Sequence, residues 1–229
     1  MSAGAVTDAR ARFVRPLLIA FLVASAVDLV GVLADVRLAH LVAKPLLMPL
    51  LAGYAAARRG PRLLVAALLF GWGGDTFLLP GADAAFLIGM GSFAAGHVCY
   101  LWLFGRARSS LLLGTGYATV LVGFVVLIWG GLPADLRIPM AGYSLLLTAM
   151  AYRSSTRGRY AALGGALFLL SDALIATGIA DWPQLPAPDF WVMLTYIVAQ
   201  FLLTVGVLTP GPERTAVTPG AYGERIIRI

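Results

Sequence analysis

The sequence predicts an all-α integral membrane protein, a bundle of about eight transmembrane helices. Of its 229 residues, 60% are hydrophobic and only 12% are charged, and the mean hydropathy is +0.87. Soluble domains contain roughly 45 to 50% apolar and 25% charged residues, which excludes a water-soluble fold. Because a membrane span needs about 20 apolar residues, this length accommodates seven to nine helices and leaves no room for a separate soluble domain.

Eight apolar runs follow one another, and charged residues bound each of them except at the end of the last, which Pro210 follows. Helices are predicted at 14–34, 38–57, 62–79, 84–104, 111–130, 138–152, 160–179 and 189–209. In the same order, the bounding residues are Arg15 and Asp35, Arg37 and Arg58, Arg62 and Asp83, Asp83 and Arg106, Arg108 and Asp135, Arg137 and Arg153, Arg159 and Asp181, and Asp189 and Pro210.

Residues 1–209 therefore form a single transmembrane domain. The segment 210–229 contains prolines and glycines without apolar periodicity, and we expect it to be a disordered cytoplasmic tail.

Positive charge is concentrated in alternate loops. All Lys and Arg residues except Arg37, Lys44 and Arg137 fall on one side of the predicted bundle, and this bias places both termini in the cytoplasm of a protein of the cell membrane. The formal charge of +6 could indicate a nucleic-acid partner. Because the arginines are spread over several loops, we interpret them as topology signals and expect no nucleic acid to bind.

A secretory signal peptide is the alternative for the N-terminal region. Basic residues 10–15 precede an apolar run and the small residues Ala24-Ser25-Ala26, a pattern typical of a cleavage site. The apolar run continues to Leu33, which a cleaved signal does not need. This continuation favours a retained first helix.

Four ionisable residues, Asp28, Lys44, Asp75 and Asp172, fall inside the apolar runs. Each aspartate follows the last arginine of its loop by 13 residues, which corresponds to about 20 Å of helix. Lys44 precedes Arg58 by 14 residues on a helix that runs the other way. The spacing predicts one common plane, roughly 10 Å beneath the outer surface of a core about 30 Å thick.

A charged group near the bilayer centre costs roughly 2.5 to 3.5 kcal/mol on insertion scales, so each is a candidate functional residue. Asp28 and Lys44 could instead form a structural ion pair. One lysine cannot neutralise three carboxylates, so one carboxyl stays protonated or a further donor intervenes. Asp75 and Asp172 thus have the proton states in which an acid and a base coexist.

Neighbouring residues could complete such a site. Gly71, Gly73, Gly74 and Ser171 are small enough for close helix packing. His97 could act as a proton shuttle, a substrate contact or a core histidine. The same alternatives, cavity lining or packing, apply to a set of polar residues on later helices: Tyr143, Tyr196 and Gln200.

The sequence contains no recognisable motif for a metal or a nucleotide. Only His40 and His97 could serve as imidazole ligands, so a histidine-rich metal site cannot be assembled. Cys99, the single cysteine, is expected to be a buried, inert thiol. We therefore expect no metal and no cofactor.

A weak internal similarity aligns Leu69–Asp75 with Ala166–Asp172 at an offset of 97 residues. This offset spans four helices, so it predicts two four-helix halves of the same orientation, a parallel repeat. Chance similarity between apolar helices is the alternative.

Several short motifs, in this order, resemble the YhhN-like lysoplasmalogenase family over residues of about 40 to 205. They are Lys44-Pro45-Leu46, Gly74-Asp75, the run from Phe86 to Phe93 followed by His97 and Tyr100, and Gly165-Ala166-Leu167-Phe168 followed by Ser171-Asp172. The first helix and the tail lie outside this resemblance.

The resemblance implies hydrolysis of the vinyl ether bond of a lysophospholipid within the bilayer. It implies an acid-catalysed reaction in which Asp75 and Asp172 are the catalytic pair, with either one as the acid. Lys44 would set the charge state or meet the lipid phosphate, and Asp28, His97, Tyr143 and Tyr196 would support the site. The sequence sets no oligomeric state.

Two other functions use the same buried acids. A proton-coupled small-molecule transporter also needs aligned carboxyls in a helix bundle. A non-catalytic lipid-binding protein could use the same cavity. Release of aldehyde from a lysoplasmenyl lipid distinguishes the enzyme from both.

Overall fold

The computed structural model of the protein describes residues 3–79, 81, 83–106 and 110–209. All eight predicted helices are present, and a short 3₁₀ turn joins the sixth to the seventh. The predicted tail, 210–229, lies outside the described residues. The elements are α1 Ala3–Leu33, α2 Arg37–Ala57, α3 Arg62–Leu78, α4 Asp83–Phe104, α5 Leu111–Ile128, α6 Arg137–Ser154, the 3₁₀ turn Ser155–Arg157, α7 Arg159–Ile179 and α8 Pro188–Leu208.

The chain is a multi-pass membrane protein. Within the described residues, six helices are long and apolar enough to span a membrane, and the other two are α3 and α6. α3 has only 17 residues and includes Gly71, Gly73, Gly74 and Asp75, whereas α6 includes polar residues among its apolar ones. These two helices pack against several neighbours in the bundle, and Asp75 of α3 and Thr148 of α6 are buried there.

Three helix hairpins form the bundle: α1 with α2, α3 with α4, and α7 with α8. α2 packs on α3, α6 packs on both α4 and α7, and α8 contacts α1, α2 and α3. α5 packs on α6, and Ile128 is its one buried residue. Large apolar side chains cover the outer faces, where lipid replaces water: Leu22, Val30, Trp102, Leu111 and Val126 are among them.

The end of α4 is capped by two arginines, one in the last turn of α6 and one in the 3₁₀ turn that follows it. A helix leaves its last four carbonyl groups without partners in the helix. Arg157 Nη2 donates a hydrogen bond to the Leu103 carbonyl, and Arg153 Nη2 donates one to the Gly105 carbonyl. Arginines that indicate topology in the sequence therefore also satisfy a helix end.

The backbones of α7, which includes Asp172, and α8 approach each other closely at two glycines. A Cβ built on Gly164 would lie 2.8 Å from the Leu203 nitrogen, and one built on Gly206 would lie 2.5 Å from the Ala161 nitrogen. Both obstacles are backbone atoms, which cannot move aside as a side chain can. The glycines therefore hold Asp172 on α7 at a fixed distance from the residues of α8.

We expect Gly206→Ala to lower the thermal midpoint of the purified protein, because the added methyl group must separate α7 from α8. Overpacking of this kind costs about 1 to 3 kcal/mol. Gly123→Ala is the matched control, since a Cβ on this α5 glycine meets nothing within 4 Å, and its midpoint should stay the same or rise. Equal midpoints for the two variants would contradict the close contact.

Candidate active site

The four ionisable residues predicted to share a plane lie near the same end of the bundle. α1, α3 and α7 run in one direction and α2 in the other, and each residue lies within about two turns of the helix end on that side. At 1.5 Å per residue, their distances from these ends are about 5 to 10 Å. The helix ends on that side are Leu33 for Asp28, Leu78 for Asp75, Ile179 for Asp172 and Arg37 for Lys44.

Asp75 is 2% exposed and ends a chain of side-chain hydrogen bonds. Tyr196 Oη donates to Asp75 Oδ2 at 2.7 Å. Gln200 Nε2 donates to Tyr196 Oη at 3.5 Å, and Tyr100 Oη donates to Gln200 Oε1 at 2.8 Å. All four side chains are buried, so the chain is held by the protein core; we name these four residues the Asp75 arm.

Gly71 makes room for the Asp75 arm. A Cβ on this glycine, one turn before Asp75, would lie 3.1 Å from Gln200 Nε2 and 3.3 Å from Tyr196 Oη. The α3 glycines thus admit polar side chains of α8 to the face of α3 that carries the acid.

Asp172 ends a second, shorter chain. Tyr143 Oη donates to Asp172 Oδ2 at 2.5 Å, and His97 Nε2 lies 3.0 Å from Tyr143 Oη. His97 is 1% exposed, and its Nδ1 is buried without a hydrogen-bond partner among the described residues. We name Asp172, Tyr143 and His97 the Asp172 arm.

Two phenylalanine rings connect the arms. The Phe168 ring lies 5.5 Å from the Tyr196 ring and 4.8 Å from the His97 ring. The Phe93 ring meets both Phe168 and Tyr196 edge-on. The Phe93 ring also packs against Gly74, where a Cβ would lie 2.4 Å from a carbon of this ring. Rigid aromatic rings therefore fix the position of each arm relative to the other.

An apolar cavity meets the Asp172 arm. Helices α3 to α7 contribute its walls, and Asp172 is the one ionisable carboxyl among the residues that line it. Its polar lining also includes Ser144 and Thr148, and the Thr148 hydroxyl is buried without a partner in the described part of the chain. Phe93 belongs to the same lining, so it stands between this cavity and the Gly74-Asp75 segment.

Two further cavities share lining residues with this one. The first lies at the end of the bundle that carries the acids, beside the α5–α6 connection, and shares Leu78 and Phe86 with the central cavity. The second shares Val120 and Leu169 and extends to Ser110, at the opposite end of α5. Together they form a path that passes Asp172 and then follows α5 to Ser110.

Asp28 pairs with a histidine and not with the lysine. The hypothesis of an Asp28–Lys44 ion pair is wrong for this structure, because His40 Nδ1 lies 2.9 Å from Asp28 Oδ1. Asp28 is fully buried, whereas the His40 side chain is 24% exposed. His40 precedes Lys44 by one turn of α2, so it reaches the acid first. Asp28 Oδ2 has no partner among the described residues.

Lys44 is partly buried, and no carboxylate in the described ranges lies within salt-bridge distance of it. Lys44 nevertheless interacts electrostatically with Asp75, as do Asp28 and His40. Asp172 also interacts electrostatically with Asp75. The structure therefore brings all four predicted residues into one electrostatic group.

Sequence reasoning missed several members of this site. Tyr100 and His40 were assigned no role in it, and Phe93 and Phe168 carried only the family resemblance. Tyr143 and Tyr196 were candidates without a stated partner, yet each donates directly to one of the two acids. A tyrosine six to eight residues into a span, at the depth of the acids, was the signal that could have found them.

Among the residues that the structure describes, no three His, Cys, Asp or Glu side chains are grouped so that they could hold a metal ion. Cys99 is a free thiol and only partly buried, packed against the core. The candidate site thus consists of carboxyls, phenols, an imidazole and an ammonium group. These groups can donate, accept and transfer protons.

Comparison with known proteins finds one family. The model of the YhhN family matches residues 39–207. The chain is 36% identical over 155 residues to the protein named lysoplasmalogenase TMEM86B from Homo sapiens, covering 66% of each chain. It is 35% identical over 165 residues to the Rattus norvegicus protein of the same name, covering 63% of this chain and 70% of the relative.

A bacterial relative gives the same result. The chain is 32% identical over 176 residues to the protein named lysoplasmalogenase from Mycobacterium bovis, covering 69% of this chain and 66% of the relative. The match thus spans just under two thirds of the human and mycobacterial relatives. No solved structure matches the chain.

Proposed function

This chain belongs to the YhhN family, and we propose that it is a membrane hydrolase that cleaves the vinyl ether bond of lysoplasmalogens. The products are a fatty aldehyde and a glycerophospho-headgroup. The name lysoplasmalogenase, shared by relatives from a mammal and a bacterium, supports the proposal. The observation that carries it is the pair of membrane-embedded carboxyls, each hydrogen-bonded to a tyrosine, one of which faces an apolar cavity.

The reaction needs one acid, one anion and one water molecule. Protonation of the vinyl ether at the alkene carbon farther from the ether oxygen leaves an oxocarbenium ion, which water captures as a hemiacetal. Paired carboxyls perform the equivalent steps in glycoside hydrolysis, where one delivers a proton and the other stabilises the cation or activates water. We assign these roles to Asp75 and Asp172 as a pair, because each accepts a hydrogen bond from a tyrosine and both lie near the same end of the bundle.

The path along α5 suits a lysolipid with one long chain. Its central cavity is lined almost entirely by apolar side chains, and the cavity toward Ser110 continues it in the direction away from the acid layer. We propose that the alkenyl chain lies along this path, with the vinyl ether beside Asp172 and the headgroup toward the outer helix ends. An outer-leaflet lysolipid has its first chain bonds at about this depth.

Lys44 is a candidate contact for the lipid phosphate. It is partly buried, at the depth of the acids, and no carboxylate in the described part of the chain neutralises it directly. We further propose that the protein resides in the cell membrane with both termini in the cytoplasm. The concentration of arginines in alternate loops supports this orientation.

The test is aldehyde release by the purified, full-length protein. We expect aldehyde from a 1-alkenyl lysophospholipid and none from its 1-alkyl counterpart, because a saturated ether has no alkene carbon to protonate. The two lipids differ only by the double bond, so the comparison isolates the proposed chemistry. A panel of headgroups and 1-acyl lysolipids then defines the substrate range.

Absence of aldehyde from every 1-alkenyl lipid would overturn the proposed function. Proton-coupled movement of a solute into liposomes without aldehyde formation would favour the transport alternative, which the names of the relatives do not support. Equal aldehyde release from alkenyl and alkyl lipids would exclude protonation of the double bond as the step.

A further inference from the structure

We propose that Asp172 is the proton donor and Asp75 the ionised base of this reaction, and that His97 is a positioning residue that allows Asp172 to hold its proton. The assignment rests on the proposed function, since it gives roles within that reaction. It is argued from the direction of the hydrogen bonds in the two arms.

All hydrogen bonds of the Asp75 arm donate in one direction, toward Asp75. An amide nitrogen can only donate, so Gln200 Nε2 donates to Tyr196 Oη, and the hydroxyl hydrogen of Tyr196 is left to point at Asp75 Oδ2. The Tyr100 hydroxyl, which donates to Gln200 Oε1, fixes the orientation of the amide. Asp75 Oδ2 therefore accepts this hydrogen bond, and the Asp75 arm contains no group that accepts a proton from Asp75.

The hydrogen bonds of the Asp172 arm can donate either toward Asp172 or toward His97. A neutral imidazole carries its hydrogen on one nitrogen and accepts on the other, and the partner of one nitrogen usually decides which. His97 Nδ1 has no partner among the described residues, so nothing fixes the tautomer. His97 Nε2 can donate to Tyr143 while Tyr143 donates to ionised Asp172, or protonated Asp172 can donate to Tyr143 while Tyr143 donates to Nε2.

The charges around each acid agree with this difference. Asp75 faces Lys44 and His40 of α2 and Asp28 of α1, besides Tyr196 of α8 and Asp172 of α7. Lys44 attracts the Asp75 carboxylate. Asp172 faces Tyr143 of α6, with His97 of α4 behind it, and the charge that reaches it is that of Asp75, which repels a second anion.

Position in the fold points the same way. Asp172 lines the apolar cavity, where the vinyl ether would lie, so its proton can reach the alkene carbon. Asp75 lies beside Gly74, on which the Phe93 ring rests. Because this ring stands between the cavity and Asp75, the water that bonds to the cation must lie at the edge of the ring to pass its proton to Asp75.

The proposed steps balance. Asp172 transfers its proton to the alkene carbon farther from the ether oxygen, and this oxygen stabilises the cation at the adjacent carbon. Water bonds to that carbon and gives one proton to Asp75, which forms the hemiacetal. Asp75 then returns this proton to the glycerol oxygen as the carbon–oxygen bond breaks, and the hemiacetal hydroxyl returns its proton to Asp172. One water is consumed, and both acids recover their initial states.

The test is the pH dependence of kcat/KM for a 1-alkenyl lysolipid in two tyrosine variants. Activity falls at high pH as the acid loses its proton and at low pH as the base gains one. Tyr143→Phe removes the hydrogen bond to Asp172 in both of its protonation states, and the bond to the ionised carboxylate is the stronger, so we expect the high-pH limb alone to move upward. Tyr196→Phe removes the hydrogen bond to ionised Asp75, so we expect the low-pH limb alone to move upward. Each shift should be about one pH unit, the effect of one hydrogen bond.

His97 is tested by a matched pair of variants. In His97→Leu the Tyr143 hydroxyl has no acceptor when Asp172 is protonated, so the high-pH limb should move downward by about one pH unit. In His97→Gln the amide can present either its oxygen or its nitrogen to Tyr143, so this limb should stay within a few tenths of a unit. A merely structural role for His97 would lower kcat and leave both limbs in place.

The carbonyl stretch of a protonated carboxyl in the infrared spectrum supplies a second measurement. At neutral pH we expect this band to disappear in Asp172→Asn and to persist in Asp75→Asn. The roles are overturned if Tyr143→Phe moves only the low-pH limb and Tyr196→Phe only the high-pH limb, or if the band disappears only in Asp75→Asn. In either case the unsubstituted enzyme still hydrolyses its substrate, so the proposed function stands. A protein that releases no aldehyde before substitution overturns the function and the roles together.

Discussion

Asp172→Asn protein is expected to release fatty aldehyde from a 1-alkenyl lysolipid about a thousandfold more slowly than the unsubstituted protein. A positioned general acid contributes about 10² to 10⁴ in rate, and no other carboxyl lines the central cavity with Asp172. Asparagine keeps the size of the side chain and still accepts a hydrogen bond from Tyr143, so the fold of the arm should persist. The measurement is kcat with saturating lipid, together with the thermal midpoint.

Asp181→Asn is the matched control for this substitution. Asp181 is exposed and follows α7 with a φ of 55°, a conformation that asparagine tolerates well. Its rate and midpoint should equal those of the unsubstituted protein. Full activity of Asp172→Asn beside an unchanged control would show that this carboxyl takes no part in proton transfer.

Asp75→Asn is expected to lower kcat by about a hundredfold to a thousandfold, because the amide cannot take the proton of water or stabilise the oxocarbenium ion. The loss should appear in kcat rather than in KM, since Asp75 acts on the cation and water that exist only after protonation. Asparagine can still accept the hydrogen bond from Tyr196, which keeps the Asp75 arm in place.

The double variant Asp75→Asn with Asp172→Asn tests whether the carboxyls act as a unit. Residues that act together are non-additive, so the double variant should be little slower than the slower single variant. Multiplied losses would instead indicate two independent contributions. Such a result would leave both residues important and would reject a shared acid and base mechanism.

The helices were predictable because the bilayer imposes a strong pattern. Each span must be apolar over about 20 residues, and all eight predicted runs agree with the observed helices to within a few residues, apart from the early start of α1 at Ala3. α1 begins early because a helix can continue through Arg10, Arg12 and Arg15, which hydropathy assigns to a loop.

The common depth of the acids stays a prediction, although each acid lies within about two turns of the helix end on the same side. The parallel repeat stays a prediction, and so do the catalytic roles of Asp75 and Asp172. Which side chain faces which was not predictable: spacing allowed Lys44 as the partner of Asp28, but His40 lies 2.9 Å from it.

The sequence by itself determined the class of protein, the helices and the family resemblance, because each follows from the composition or spacing of its segments. The same spacing predicts a common height for the buried charges. Only the tertiary structure decided that Tyr196 serves Asp75, that Tyr143 and His97 serve Asp172, and that Asp172 alone of the two acids lines the cavity. These pairings join helices up to 121 residues apart. They depend on how each helix is rotated about its axis and on the close helix packing that Gly71, Gly164 and Gly206 permit. The height of a residue along its helix determines neither the rotation nor the packing distance.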